Sequence, residues 1–295
     1  MKKTLFQGMA TALITPMTPE GIDYDTLGRL IEFQIENGIQ ALVVMGTTGE
    51  TATIEPEDQQ KVIHYTVQKV AHRVPVIAGT GGNCTAHALA QTKAACQAGV
   101  DGVLVVTPYY NKATQQGLIT HFTAVADAST VPVILYNVPG RTGCNLLPQT
   151  AAKLAEHPNI VGIKEASGNM AQVVQLRALC GDRLAIYSGE DTLTVPIMAM
   201  GGVGAISVLS HVVPKEAIAM TNACLCGDFQ LASQLQCRLL PLIHALFSEV
   251  NPIPAKAALS AMGFGQDYLR LPLTSMEDHN RENLYQEMRK LGINV

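Results

Sequence analysis

The chain has 295 residues, 47% of them hydrophobic, and a mean hydropathy of +0.18, enough for one large core or two modest ones, with order expected throughout. A formal net charge of −4, an isoelectric point near 6.1 and no Lys/Arg cluster longer than a pair argue against a nucleic acid or an anionic membrane as partner and for a small polar ligand. Seven cysteines are an odd count, and Cys224-Leu225-Cys226 lacks the usual zinc-site spacings, so all seven are expected to be reduced and mostly in the core.

Met1-Lys2-Lys3 followed by Leu5-Phe6 resembles the start of a signal peptide. Gln7, Gly8, Thr11 and Thr15 interrupt the apolar region and Pro16 ends it, so the segment reads as a first strand. No run approaches about 18 consecutive apolar residues, the length of a membrane span. With reduced thiols, this predicts a cytoplasmic protein.

Short apolar, β-branched runs then recur along the chain: Met9–Ile14, Ala41–Met45, Pro75–Ala78, Gly102–Val106, Val131–Tyr136, Ile160–Ile163, Leu184–Tyr187 and Val203–Val208. Between them lie helical stretches with apolar residues at three- and four-residue steps, such as Leu27-Leu30-Ile31-Phe33-Gln34-Ile35 ending at Gly38 and Ala86-Ala90-Ala94-Ala95-Ala98 ending at Gly99. Near-continuous rather than alternating hydrophobicity in the strands implies burial on both faces, as in a parallel sheet covered by helices. Eight such units match the size of a (β/α)8 TIM barrel, with a doubly wound sheet as the rival. From about Pro214 onward strand signals stop and three or four helices are predicted, with Asn251-Pro252-Ile253-Pro254 marking a turn and Pro254 a helix start. The predicted division is a catalytic barrel over 1–224 and a C-terminal helical appendage over 225–295.

In a barrel, residues just after each strand form the mouth where chemistry is done. The second predicted strand ends in Gly46-Thr47-Thr48-Gly49-Glu50, a loop whose hydroxyls and N–H groups can hold a carboxylate, though alone it reads as an ordinary turn. Gly79-Thr80-Gly81-Gly82-Asn83 after the third resembles a dinucleotide fingerprint only weakly, lacking its third glycine. Pro108-Tyr109-Tyr110-Asn111 after the fourth places two phenols on an extended segment, where neighbours point opposite ways. The fifth ends in Tyr136-Asn137-Val138-Pro139-Gly140-Arg141, bringing a phenol for proton relay and a planar guanidinium suited to a carboxylate.

The sixth run ends in Lys164. Burial disfavours the ammonium form of a lysine, and a neutral amine attacks a carbonyl to give a Schiff base; a lysine that has merely reached solvent does neither. Neighbouring strands lie about 4.8 Å apart, so Tyr136 and Lys164 can meet over one cavity. The eight histidines show no metal-ligand spacing and no Gly-x-Ser-x-Gly elbow occurs, which argues against metal and serine-hydrolase chemistry.

Taken in order, Gly46-Thr47-Thr48-Gly49-Glu50, Thr107-Pro108-Tyr109-Tyr110-Asn111, Tyr136-Asn137-Val138-Pro139-Gly140-Arg141-Thr142, Gly162-Ile163-Lys164-Glu165-Ala166-Ser167-Gly168, Ser188-Gly189-Glu190-Asp191 and Asn251-Pro252-Ile253-Pro254 closely resemble the dihydrodipicolinate synthase family of the sialate lyase superfamily, nearly end to end. The resemblance implies condensation of pyruvate with L-aspartate 4-semialdehyde to 4-hydroxy-tetrahydrodipicolinate, in lysine and diaminopimelate biosynthesis, through a Schiff base on Lys164. It implies a hydroxyl relay of Thr47, Tyr136 and Tyr110, the last donated across a dimer interface. Thr48 with its loop matches the pyruvate-carboxylate site, Arg141 the group that receives the semialdehyde carboxylate, and Gly189 and Ile206 backbone positions lining the pocket. No cofactor is implied, and the expected assembly is a homotetramer built from two tight dimers.

One departure concerns regulation. Lysine-inhibited relatives place a glutamate where this chain has His87, and histidines where it has Pro56 and Gln59, although Asn83 and Tyr109 match that site. Weak or absent inhibition by lysine follows as an expectation. The rival readings are a sialate or 2-keto-3-deoxy sugar-acid aldolase, which shares the lysine but needs hydroxyl-binding side chains not identified here, and a non-catalytic binding paralogue, which would have lost part of the Lys-Tyr-Thr-Arg set.

Overall fold

The computed structural model describes residues 4–295; Met1-Lys2-Lys3, the start of the signal-like segment, lies outside them. Eight strands are near-continuous runs of buried residues: β1 Gly8–Ala12, β2 Ala41–Val44, β3 Val76–Gly79, β4 Gly102–Val106, β5 Val133–Asn137, β6 Ile160–Glu165, β7 Ala185–Ser188 and β8 Gly204–Ser207. Each pairs in parallel with the next in sequence, and β1 pairs with both β2 and β8, closing a barrel. The doubly wound alternative is thereby excluded. The first strand ends at Ala12, short of the predicted Met9–Ile14 run, although Leu13 and Ile14 stay buried and the Leu13 N–H still donates to the Val43 carbonyl at 2.8 Å. A small antiparallel ladder, Met17–Thr18 with Gly21–Ile22, follows and carried no sequence signal.

Alternation across the strands sorts the apolar residues into two layers. Ala10, Val43, Leu104, Ile134, Tyr136 and Ile206 belong to the cluster inside the barrel, while Leu42, Val103, Val133 and Ile163 join the larger cluster under the helices. The barrel's N-terminal end is closed by Phe6, which stacks on Tyr187 at 4.4 Å and accepts the Tyr187 hydroxyl at its carbonyl, 2.9 Å away. Burial pushes that phenol well above its ordinary pKa, so it serves as a fixed donor.

The surrounding helices are α1 Tyr24–Glu36, α2 Pro56–Val70, α3 Thr85–Gln97, α4 Gln115–Ala128, α5 Pro139–Thr142, α6 Pro148–Leu154, α7 Met170–Cys180, α8 Thr194–Ala199 and α9 Pro214–Leu225. Their starts follow ordinary capping chemistry: Asp23, Thr114 and Asn169 each accept the N–H three residues on, and proline occupies the first turn of α2, α5, α6 and α9. Three more helices, α10 Phe229–Leu246, α11 Ile253–Ala261 and α12 Asp278–Lys290, follow. Helix α10 packs on α8, α9 and α12, and α11 has a proline in its first turn. Among the described residues no helix is long and apolar enough to cross a membrane, and no group of three or more metal-ligating side chains gathers.

All seven cysteines are free thiols, but only Cys144, Cys180 and Cys224 are buried; Cys226 and Cys237 are exposed. The expectation of mostly core cysteines therefore needs correcting. Cys226 caps the end of α9 and Cys237 lies on the solvent side of α10, so helical position overrides the residue's general preference. Burial pushes the three inner thiols up, Cys224 to about 11, which leaves them unreactive.

Candidate active site

Lys164 sits on β6 and Tyr136 on β5, as direct register partners. The pairing depends on a β-bulge: Val133 pairs with Ile160, but Ile134 pairs with Gly162, leaving Val161 as an extra residue. Without it Tyr136 would face Ile163, and Lys164 would turn to the outer layer. With it, Lys164 points inward, 7% exposed, and its Nζ lies 4.5 Å from the centroid of the Tyr136 ring. Among the described residues Lys164 has no carboxylate partner, unlike the buried Lys256, which pairs with Glu50.

Room for the lysine stem comes from β7. Gly189, just beyond that strand, donates its N–H to the Glu165 carbonyl at 2.8 Å, and a Cβ there would stand 2.8 Å from both Cγ and Cε of Lys164. Only glycine leaves the stem in place. The same turn is fixed by Asp191, whose Oδ2 accepts the N–H groups of Val208 at 2.9 Å and Leu209 at 3.0 Å, tying the end of β7 to the end of β8 near Ile206. Burial raises the pKa of Asp191, against these donors.

Behind β5 and β6 lies a buried polar network that sequence reading missed. Glu165, 1% exposed, accepts from the Ser167 N–H at 2.8 Å, from Asn137 Nδ2 at 3.1 Å and from Gln172 Nε2 at 3.3 Å; Asn137 also donates to Asn145 Oδ1 at 2.9 Å. It clamps the strand ends directly after Tyr136 and Lys164. The sequence signal was available in the adjacent Tyr136-Asn137 and Lys164-Glu165 pairs, whose polar second members must point away from the cavity.

The loop after β2 is conformationally costly. Met45 and Glu50 both have φ of 55°, the left-handed region disfavoured for side-chain-bearing residues. Thr51 Oγ1 lies 2.6 Å from the Met45 carbonyl, and Gln59 Nε2 donates to the carbonyls of Thr51 and Ile54. Glu50 and Lys256, both essentially inaccessible, form an ion pair at 2.5 Å, and Lys256 Nζ also donates to the Tyr268 carbonyl. Burial pulls the Lys256 ammonium below its ordinary range while Glu50 opposes the shift. Within this loop Thr48 is buried, its Oγ1 accepting from Asn251 Nδ2 at 2.9 Å, whereas Thr47 is exposed at the mouth. Arg141, on α5, is exposed and donates from Nη2 to the Asn251 carbonyl at 3.2 Å.

The structure thus brings Lys164, Tyr136 and Gly189 together, sets Ile206 in the same inner cluster as Tyr136, and joins Thr48 and Arg141 through Asn251. Among the described residues no hydrogen bond links Thr47 to Tyr136. Tyr110 is 88% exposed, and its backbone N–H donates to the Thr142 carbonyl. Tyr109 and Tyr110 are both exposed, and the segment that carries them turns at Tyr110, where φ is 72°, rather than extending as expected. Gly79 and Gly81 are close-packing positions, where a Cβ would strike the Met45 carbonyl at 2.1 Å and the Val106 nitrogen at 2.3 Å; they need no phosphate to explain them.

The description of the dihydrodipicolinate synthetase family matches residues 5–291, nearly the whole chain. The chain belongs to this family. A 4-hydroxy-tetrahydrodipicolinate synthase of Alkaliphilus oremlandii is 50% identical over 98% of this chain and all of its own length. One from Thermoanaerobacter sp. (strain X514) is 48% identical over 98% of both chains. The structure of a chloride-inhibited dihydrodipicolinate synthase from Acinetobacter baumannii, complexed with pyruvate, superposes with a TM-score of 0.96 at 43% identity, over 98% of this chain and all of that one.

Proposed function

We propose that this chain condenses pyruvate with L-aspartate 4-semialdehyde to 4-hydroxy-tetrahydrodipicolinate, a lyase-class step of lysine and diaminopimelate biosynthesis. The observation that carries the reading is Lys164 Nζ, buried inside the barrel mouth without a carboxylate partner among the described residues and lying against Tyr136. The neutral amine attacks the keto carbon of pyruvate, and the carbinolamine loses water to give an iminium. That iminium is an electron sink: the methyl group loses a proton and becomes the enamine carbon, which forms a C–C bond to the aldehyde carbon as the aldehyde oxygen takes a proton. The semialdehyde's own amine then attacks the iminium carbon, the bond to Nζ breaks, the ring closes and Lys164 is freed. One water is released overall.

Within this scheme Tyr136 holds and moves protons at Nζ, with Thr47 and Tyr110 as the remaining members of the relay. Thr48 holds the pyruvate carboxylate, Arg141 the semialdehyde carboxylate, and Gly189 and Ile206 shape the pocket. The exposed Tyr110, at 88%, fits delivery of its hydroxyl into the site of a second copy of the chain and so supports a homo-oligomer; the assembly proposed is a dimer of dimers. Free thiols fit a cytoplasmic setting.

The test is reduction with borohydride in the presence of pyruvate, followed by intact mass and peptide mapping, with and without the semialdehyde. A reduced pyruvyl adduct on Lys164 that the semialdehyde suppresses is expected. An adduct indifferent to the semialdehyde would point to an aldolase with another acceptor, and no adduct would overturn the mechanism.

A further inference from the structure

Asn251 lies between α10 and α11, and it is buried. Its side-chain Nδ2 donates to Thr48 Oγ1 at 2.9 Å, and its backbone carbonyl accepts from Arg141 Nη2 at 3.2 Å. Thr48 follows β2 and Arg141 follows β5, so one residue of the C-terminal segment touches side chains from two separate loops of the mouth. A second contact holds the segment in register with the Thr48 loop: Glu50, two residues past Thr48, pairs with Lys256 on α11.

The direction of the Asn251–Thr48 bond matters. A threonine hydroxyl has one hydrogen and two lone pairs. With Nδ2 on a lone pair, the hydrogen is free, and Thr48 Oγ1 donates to none of the described residues. Asn251 Oδ1 is itself buried without a hydrogen-bond partner among them. Turning the amide over would satisfy that oxygen but strand two buried donors in its place and consume the Thr48 hydrogen. The observed orientation therefore leaves the Thr48 hydrogen free to be donated to a ligand.

We propose that Asn251 is a positioning residue that fixes the Thr48 hydroxyl as donor to the pyruvate carboxylate and, through its carbonyl, anchors Arg141, so that the C-terminal segment sets the spacing of the two carboxylate sites. The inference rests on the roles given above to Thr48 and Arg141. Aspartate at position 251 accepts where asparagine donates: it would reverse the Thr48 hydroxyl and set a negative charge beside the substrate carboxylate. Alanine would merely release the hydroxyl.

The experiment titrates pyruvate in the borohydride trapping of Lys164 and pairs it with steady-state kinetics for both substrates, in the intact chain. Asn251→Asp is expected to raise the half-saturating pyruvate concentration by about tenfold or more, and Asn251→Ala by less, with the maximal extent of trapping retained. In a Thr48→Val background, Asn251→Ala should add less than about twofold. Asn251→Asp within twofold of the parent, or an Asn251→Ala effect undiminished in Thr48→Val, would overturn the proposal and leave a purely structural residue. Should Asn251→Asp lose the native melting transition, the Asn251→Ala/Thr48→Val cycle decides alone. Absence of trapping in the parent chain is a different result, which would bring down the keto-acid reading and this inference with it.

Discussion

Lys164 Nζ stands 4.5 Å from the centroid of the Tyr136 ring, its register partner on the adjacent strand. The aromatic face gives the amine a weakly attractive neighbour that adds no counter-charge, while the hydroxyl of the same residue is the group proposed to move its protons. Tyr136→Phe keeps the face and removes the hydroxyl. Turnover should fall by about 10²-fold or more, while prolonged incubation with pyruvate and borohydride should still label Lys164. Near-normal turnover in Tyr136→Phe would remove the residue from the relay.

Gly189→Ala tests how tightly the amine is held. The added methyl would sit 2.8 Å from Cγ and Cε of Lys164, and it also meets Ala166 Cβ at 2.9 Å, so the lysine stem must move. A displacement near 1 Å can cost about 10²-fold in rate. Trapping should slow by that order, with a melting temperature close to the parent's. Unchanged trapping kinetics would mean that the stem has room to spare.

Lys256→Met should destabilise the fold by about 3–5 kcal/mol, because Glu50 would be left as an uncompensated buried charge in a backbone already at φ of 55°. The double variant Lys256→Met/Glu50→Gln should recover much of that loss. Urea unfolding of the parent, the single and the double variants measures both, and a double variant no better than the single would show that the pair's charge is not the issue.

His211 supplies a pH dependence. It accepts the Ile14 N–H at Nε2, its Nδ1 faces the Val208 carbonyl, and it is fully buried, so desolvation pulls its pKa down to about 4. The unfolded chain takes up this proton near pH 6.5 while the folded one resists until about 4. Stability from this residue is therefore complete above the unfolded pKa and declines as pH falls toward 4, by up to about 3 kcal/mol. The drop in melting temperature between pH 7 and pH 4.5 should be smaller in His211→Gln than in the parent; equal drops would place the acid sensitivity elsewhere.

The barrel was legible because eight runs such as Gly102–Val106 are apolar on both faces, a pattern few other folds impose. Lys164 closes one such run, but a lysine there fits a strand end that has reached solvent as well as a nucleophile, and it was the family resemblance that singled it out. Three things were not legible. The Val161 bulge shifts register by one residue, and an apolar run carries no mark of it. The left-handed turn at Tyr110 sits on a residue type that rarely adopts it. The Asn251–Thr48 and Lys256–Glu50 contacts join residues some two hundred positions apart, which no local pattern announces.

Inhibition by lysine should be weak or absent. In the regulated pattern a glutamate would face the ammonium of lysine, but this chain carries His87 there, exposed on α3, with Pro56 beginning α2. Gln59 is buried, and its Nε2 is engaged by the carbonyls of Thr51 and Ile54, holding the loop that carries Thr48. Loss of one charge-assisted contact removes about 1.5–3 kcal/mol, a weakening of about 10- to 150-fold, even with Asn83 and Tyr109 in place. Steady-state assays over a lysine series give the inhibition constant directly. A value well below millimolar would require a different partner for the ammonium, and His87→Glu should lower the constant if the missing carboxylate is the cause.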